Sequence, residues 1–212
     1  PTVAPVLTIS NSESASPTSV AAGATGQPAG KGLRVAFIGD SFAAGVGATD
    51  ASLRWSTLLA VANGWEELNL AVSGSSYGAD PDDLGSYAPQ VEAAVAAAPD
   101  VVLVSGGLNL AQADQTAGVD DVFASLRAGL PKARIVAVSP FWTATEYPTQ
   151  LTVTASLIED AVTEVDGDYL ELGNPLEGEY SLFSYDELHP NDAGHQLLAN
   201  FVDAKLPAEI GG

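Results

Sequence analysis

Residues 33–47 read Leu33-Arg34-Val35-Ala36-Phe37-Ile38-Gly39-Asp40-Ser41-Phe42-Ala43-Ala44-Gly45-Val46-Gly47. A mostly apolar run, Leu33–Ile38, ends on a glycine, a carboxylate and a serine, and the chain then passes two more glycines. A strand with one wet face alternates apolar and polar residues, whereas a strand covered on both faces reads as a continuous apolar run. Leu33–Ile38 is of the second kind. Four further runs are similar: Leu68–Val72, Val101–Val104, Ile135–Val138 and the stretch around Tyr169–Leu172.

Helical periods lie between them. Trp55, Leu58, Leu59 and Ala62 fall at i, i+3, i+4 and i+7, as do Val91, Ala94, Val95 and Ala98. Val119, Val122, Phe123, Leu126 and Leu130 form a third stripe. Val153, Leu157, Ile158, Ala161, Val162 and Val165 form a fourth, and Leu197, Leu198, Phe201 and Val202 a fifth. Pro131 and Pro207 stop two of these helices. Strands alternating with helices predict an α/β fold with a parallel sheet covered on both faces. Ligands of such sheets bind beyond the carboxyl ends of the strands, so the residues just after each strand matter most.

Outside this pattern, residues 1–30 are rich in Ser, Thr, Ala, Pro and Gly, a composition that buries little and reads as a linker or tail before a domain of residues 31–212. Such a head is the basis for expecting a secreted or cell-surface bacterial protein, with any export signal outside the given chain. The chain has 212 residues, 46% of them apolar, which suffices for one core. With 27 acidic and 7 basic side chains the net charge is −20, which repels nucleic acid and anionic membrane. The absence of cysteine excludes disulfides and thiolate chemistry. No apolar stretch approaches the roughly 20 residues of a membrane helix, so no membrane insertion is expected.

The strand ends carry the chemistry. After the first comes Gly39-Asp40-Ser41, after the second Asn69-Leu70-Ala71-Val72-Ser73-Gly74, and after the third Gly106-Gly107-Leu108-Asn109. Beyond the last strand lies Asp186-Glu187-Leu188-His189-Pro190-Asn191, followed by the final helix. A serine, a glycine backbone, an amide side chain and a histidine near a carboxylate are the inventory of acyl transfer.

These four blocks, in this order, resemble those of the SGNH/GDSL hydrolases over roughly residues 33–205. The resemblance implies a flavodoxin-like three-layer α/β/α sandwich with a central, mostly parallel five-stranded sheet. It also implies a serine esterase without metal or cofactor. Ser41 would be the nucleophile, His189 the base and Asp186 its orienting partner. The backbone N–H groups of Ser41 and Gly74, with the side chain of Asn109, would form the oxyanion hole. The family's third block usually continues with an aspartate where this chain has Leu110, a departure that bears on how Asn109 is held.

Short-chain esters are the expected substrates, with O-acetyl groups on carbohydrate or cell-wall polymer first among them. Phe42, Tyr77 and Trp142 are candidate substrate-binding residues, and Trp142 has a ring suited to a sugar. Phe141 and Tyr147 are further candidates for the pocket wall. Two other readings stay open: an O-acyltransferase that passes the acyl group to a sugar hydroxyl, and a non-catalytic carbohydrate-binding module, for which Leu110 is the support. Gly74-Ser75-Ser76-Tyr77-Gly78 fits the G-x-S-x-G elbow, but a loop follows where that elbow needs a helix, so Ser76 is read as a pocket-wall residue. Asp80-Pro81-Asp82-Asp83 lacks the glycine and spacing of a calcium loop and reads as a solvated turn. His195 is expected to pack or make a surface contact.

Overall fold

The apolar run at residue 33 becomes strand β1 (Arg34–Gly39), and the sheet is built around it in the computed structural model, which describes residues 32–78, 85–109 and 115–211. The expected linker of residues 1–30, Leu110 and the Asp80–Asp83 run lie outside the described residues. Four more strands follow: β2 (Glu66–Asn69), β3 (Val101–Ser105), β4 (Arg134–Val138) and β5 (Asp168–Leu170). They lie in the order β2-β1-β3-β4-β5, and every pairing is parallel. The chain therefore leaves β1 towards β2 and returns to place β3 on the other side. The carboxyl ends of β1 and β3 flank the switch point where flavodoxin-like sheets bind ligands.

The helices are α1 (Ser41–Ala44), α2 (Trp55–Asn63), α3 (Ala88–Ala97), α4 (Gln115–Gly129), α5 (Thr149–Glu164) and α6 (Asp192–Asp203). Each long helix covers one of the five predicted stripes. Because side chains alternate along a strand, each central strand feeds two cores. Val35, Phe37, Val101, Leu103, Val136 and Val138 pack with Trp55 and Leu59 of α2 and Leu198 and Val202 of α6. Ala36, Ile38, Val102, Val104, Ile135 and Ala137 face Val91 of α3, Phe123 and Leu126 of α4 and Ile158 of α5. Burial on both faces is the physical meaning of the uninterrupted apolar runs. Among the described residues no helix is long and apolar enough to cross a membrane.

The second strand differs from its expected span. Pairing with β1 starts at Glu66, two residues before Leu68, and the ladder ends at Asn69. An edge strand tolerates charge, and here Glu67 meets the Arg54 guanidinium at 3.3 Å while Glu66 meets Arg34 at 3.4 Å. Leu70 and Val72 still donate N–H bonds to Phe37 and Gly39, so this loop follows β1 to its end.

Candidate active site

Ser41 is presented by the shortest possible route. β1 stops at Gly39, where a Cβ would collide with the Ser105 carbonyl and the Ala43 side chain. Asp40 then caps α1, its Oδ1 accepting the Phe42 N–H at 3.0 Å. Ser41 opens the helix, so its own N–H is among the first-turn donors that a helix leaves without an internal partner. Gly45, in the left-handed conformation, closes the turn.

Gln90 of α3 locks the strand end in place. Its Oε1 accepts the Gly39 N–H at 2.9 Å, and its Nε2 donates to the Gly39 carbonyl at 3.1 Å and to Ser75 Oγ at 2.8 Å. Ser75 Oγ also reaches the Val72 carbonyl at 2.7 Å. Asn69 adds a second tie, donating to the Ala43 carbonyl and Ser56 Oγ and accepting the Ala71 N–H. Gly74 thus sits, at φ +82°, in a loop fixed beside the β1 terminus. Asn109 faces the same loop, with Nδ2 donating to the Ser75 carbonyl at 3.1 Å. One of its two amide hydrogens is engaged there and the other is left for a second acceptor.

The histidine arrives on an irregular loop. Asp186 Oδ1 accepts Ser184 Oγ–H at 2.7 Å and the N–H groups of Leu188 and His189, both at 3.0 Å. Glu187 takes φ +57° to bring those two donors onto one oxygen. Asp186 Oδ2 is thereby free to pair with His189 Nδ1 at 2.7 Å. Desolvation alone would raise the Asp186 pKa. The hydrogen bonds from His189, Ser184 and Leu188 outweigh it and hold the carboxyl well below its ordinary range. An ionised Asp186 accepts the hydrogen bond from Nδ1–H and so keeps the proton on that nitrogen, leaving Nε2 as the acceptor for Ser41 Oγ–H at 2.9 Å.

The two halves are joined by contacts the sequence did not signal. Gly47, at φ +94°, lets its loop touch the Pro190 carbonyl where a Cβ would have no room. Thr49 donates its N–H and its hydroxyl to the Asp192 carboxylate, both at 2.7 Å. His195, completely buried, accepts the Trp55 N–H on Nδ1 at 3.3 Å and donates Nε2–H to the Val46 carbonyl at 3.2 Å. Burial lowers its pKa, so the neutral ring is the form held. Its packing role agrees with expectation, while its bonds to two elements were not foreseen.

The aromatic candidates lie in three different settings. Phe42 stacks on Phe141 at 5.9 Å and lies 5.7 Å from the His189 ring. Both phenylalanines are buried under the site and present no open wall. Tyr77 is buried in the other core, 4.7 Å from Tyr87 and 6.0 Å from Phe123. In each case core packing has claimed the ring. Trp142 is partly exposed and donates Nε1–H to Thr145 Oγ1 and the Glu146 carbonyl, and Tyr147 donates its hydroxyl to the Pro140 carbonyl. Ser76 is also buried, with Oγ bonded to the Gly78 carbonyl at 2.8 Å, so it is no pocket wall.

Residues 37–197 match the family model described as GDSL-like lipase/acylhydrolase. No curated protein sequence matches the chain. Among solved structures, a family two carbohydrate esterase from Clostridium thermocellum, in complex with cellohexaose, aligns with TM-score 0.64 and 18% identity. That alignment covers 82% of this chain and 64% of the other. A catalytic mutant of an acetylxylan esterase from Geobacillus stearothermophilus aligns with TM-score 0.61 and 18% identity, covering 88% and 97%. An acetyl xylan esterase from Butyrivibrio proteoclasticus gives 0.57 and 16%, covering 81% and 63%. The chain thus spans under two thirds of the first and third of these proteins. Identities this low speak for a shared fold.

Proposed function

The chain belongs to the GDSL-like lipase/acylhydrolase family, and on that premise we propose that it hydrolyses short-chain carboxylic esters, O-acetyl groups on carbohydrate foremost, through an acyl-serine intermediate. The observation that carries the reading is the unbroken chain of hydrogen bonds from Ser41 through His189 to Asp186.

In this mechanism Ser41 Oγ attacks the acyl carbon as His189 Nε2 takes its proton. The imidazolium so formed is stabilised by Asp186 through Nδ1. Charge developing on the carbonyl oxygen is met by the N–H groups of Ser41 and Gly74 and by Asn109 Nδ2. His189 then protonates the departing alcohol, leaving the acyl-serine. Water, deprotonated by the same Nε2, releases the carboxylic acid and restores Ser41. The chemistry closes with these side chains and water alone.

The preference for acetyl on a sugar draws support from the neighbouring carbohydrate and acetylxylan esterases. The Ser/Thr/Pro-rich segment of residues 1–30 supports action at or beyond the cell surface. Hydrolysis of p-nitrophenyl acetate and of longer p-nitrophenyl esters, compared with Ser41→Ala, tests the reading. Turnover should be highest on the acetyl ester and fall by about 10⁴-fold or more in the variant. Equal rates for the two proteins would overturn it.

A further inference from the structure

The stretch that carries Asp186 is also a conspicuously apolar part of the surface. Of seven large hydrophobic residues exposed among the described ones, Tyr180, Tyr185 and Leu188 fall within nine positions. Tyr185 is 100% exposed and Tyr180 72%. Rings standing in water add little to the core, so their clustering beside one site calls for another role. Between this stretch and the loop after β4 runs a cleft of about 340 Å³, lined by Thr143, Thr145, Tyr180, Phe183, Tyr185 and Glu187.

Both walls are fixed before any ligand arrives. On one side Asn174 Nδ2 donates to the Thr143 and Thr145 carbonyls at 3.2 and 3.0 Å, and the two threonine hydroxyls bond each other at 2.8 Å. On the other, Asn191 Nδ2 holds the Ser181 and Phe183 carbonyls at 2.9 and 3.1 Å, and Ser184 N–H bonds the His189 carbonyl at 2.8 Å. Ser184 and Glu187, which line the cleft, flank Asp186 in the chain. Ser184 Oγ–H bonds Asp186, and Asp186 holds His189, so the cleft wall is tied directly to the loop that carries the base.

We infer that this cleft is a binding site for a neutral polysaccharide chain, with Tyr185 and Tyr180 stacking on sugar rings and the hydroxyls along its walls bonding theirs. The inference rests on the esterase reading for its place beside the substrate, and it names the polymer that this reading leaves open. Flat rings alternating with hydroxyl groups suit a pyranose, which is apolar on its faces and polar at its edge. The lining holds a carboxylate and no cation, and the chain carries a net charge of −20, so an anionic polymer is repelled. Threonine, serine and tyrosine hydroxyls around the cleft disfavour a lipid chain.

Affinity electrophoresis of the full chain carrying Ser41→Ala, through gels containing xylan, tests binding without turnover. Retardation is expected, reduced at least fivefold in apparent affinity by Tyr185→Ala and by Tyr180→Ala, and retained by Tyr185→Phe, which keeps the ring. Polygalacturonate should give no retardation. Alongside, the ratio of kcat/KM on acetylated xylan to that on p-nitrophenyl acetate should fall about tenfold in the double alanine variant, with thermal midpoints confirming the fold. No retardation by xylan, equal retardation with and without the rings, or capture by phosphatidylcholine vesicles in its place would overturn the inference. Failure of the esterase reading shows separately, as loss of p-nitrophenyl acetate turnover in the parent protein.

Discussion

Asp40 and Asp186 both lie near the catalytic pair proposed for Ser41 and His189, and the fold treats them in opposite ways. Asp40 belongs to the block after β1. It is buried, its Oδ2 has no hydrogen-bond partner, and desolvation pushes its pKa up to about 6. Asp186 sits on a loop without regular structure, is exposed, and is held ionised by hydrogen bonds that outweigh its desolvation. The serine is placed at a sheet terminus by packing and buried hydrogen bonds together, with Phe42 fixed in the core and Gln90 holding Gly39. The histidine is placed by a polar network that knits its loop to itself and then to the serine block. Damage to the two regions should therefore read out differently.

His189→Ala is the sharpest expected break. Removing the base should lower kcat/KM by about 10⁴-fold, a cost near 5 kcal/mol in the transition state. Stability should change by less than about 1 kcal/mol, since the ring lies on a partly exposed loop. Urea unfolding together with p-nitrophenyl acetate kinetics checks both halves. A large loss of stability would mean that the loop is part of the core after all.

His195→Leu should do the reverse. It leaves the Trp55 N–H and the Val46 carbonyl without their partner inside the protein, a penalty of about 2–4 kcal/mol for the pair. Activity measured well below the melting transition should fall by less than about tenfold, because the ring touches no reacting atom. A variant as inactive as His189→Ala would show that the Val46 loop positions Ser41 more directly than packing does.

Asp40→Asn separates the two aspartates by pH. Folded Asp40 keeps its proton up to about pH 6, whereas its ordinary value is 3.8. Between those values the folded state binds more protons, so this group's stability is fully present below the window and is lost as pH rises through it. The loss amounts to about 3 kcal/mol at most. Asparagine has no such slope. Raising the pH from 4 to 7 should shift the stability difference in favour of the variant by about 2–3 kcal/mol, while contributions from Asp186 cancel between the two proteins. A difference constant across that range would place Asp40 in a wetter environment than its burial indicates.

The same division decides what could be read from the sequence. Packing leaves a periodic trace: β1, β3 and β4 stand out because both faces are covered, and each long helix shows its stripe. β2 was misplaced because an edge strand can begin with Glu66 and Glu67, whose charges find arginines. The order of the blocks singled out Ser41, Gly74, Asn109, Asp186 and His189, of which Ser41, His189 and Asp186 form one hydrogen-bonded chain. The supports left no such trace. Gln90 looks like a solvent-facing helix residue, and nothing in the spacing of Asn69, Thr49 or Asp192 announces a bond 143 positions along the chain. The burial of Tyr77 and Phe42 left no trace for a related reason, since a ring near a motif reads alike whether it faces ligand or core.

Thr49→Val is the smallest expected effect and bears most directly on how the halves are joined. Thr49 holds Asp192 with two donors, and valine removes the hydroxyl while keeping the backbone N–H at 2.7 Å. The pair is solvent-exposed, so stability should stay within the range of ordinary surface substitutions. Asp192 is the first residue of α6, directly after its cap Asn191 and three positions after His189. A small shift there moves the imidazole relative to Ser41, and a misplacement of ångström size is amplified in the rate. The expected result is a drop in kcat of about two- to fivefold with KM for p-nitrophenyl acetate unchanged. Unfolding midpoints should move within the range of such substitutions, and Thr49→Ser, which keeps the hydroxyl, should restore the rate. If valine costs stability and rate in equal measure, the contact serves the fold alone, and the base is placed by its own loop without help from the serine block.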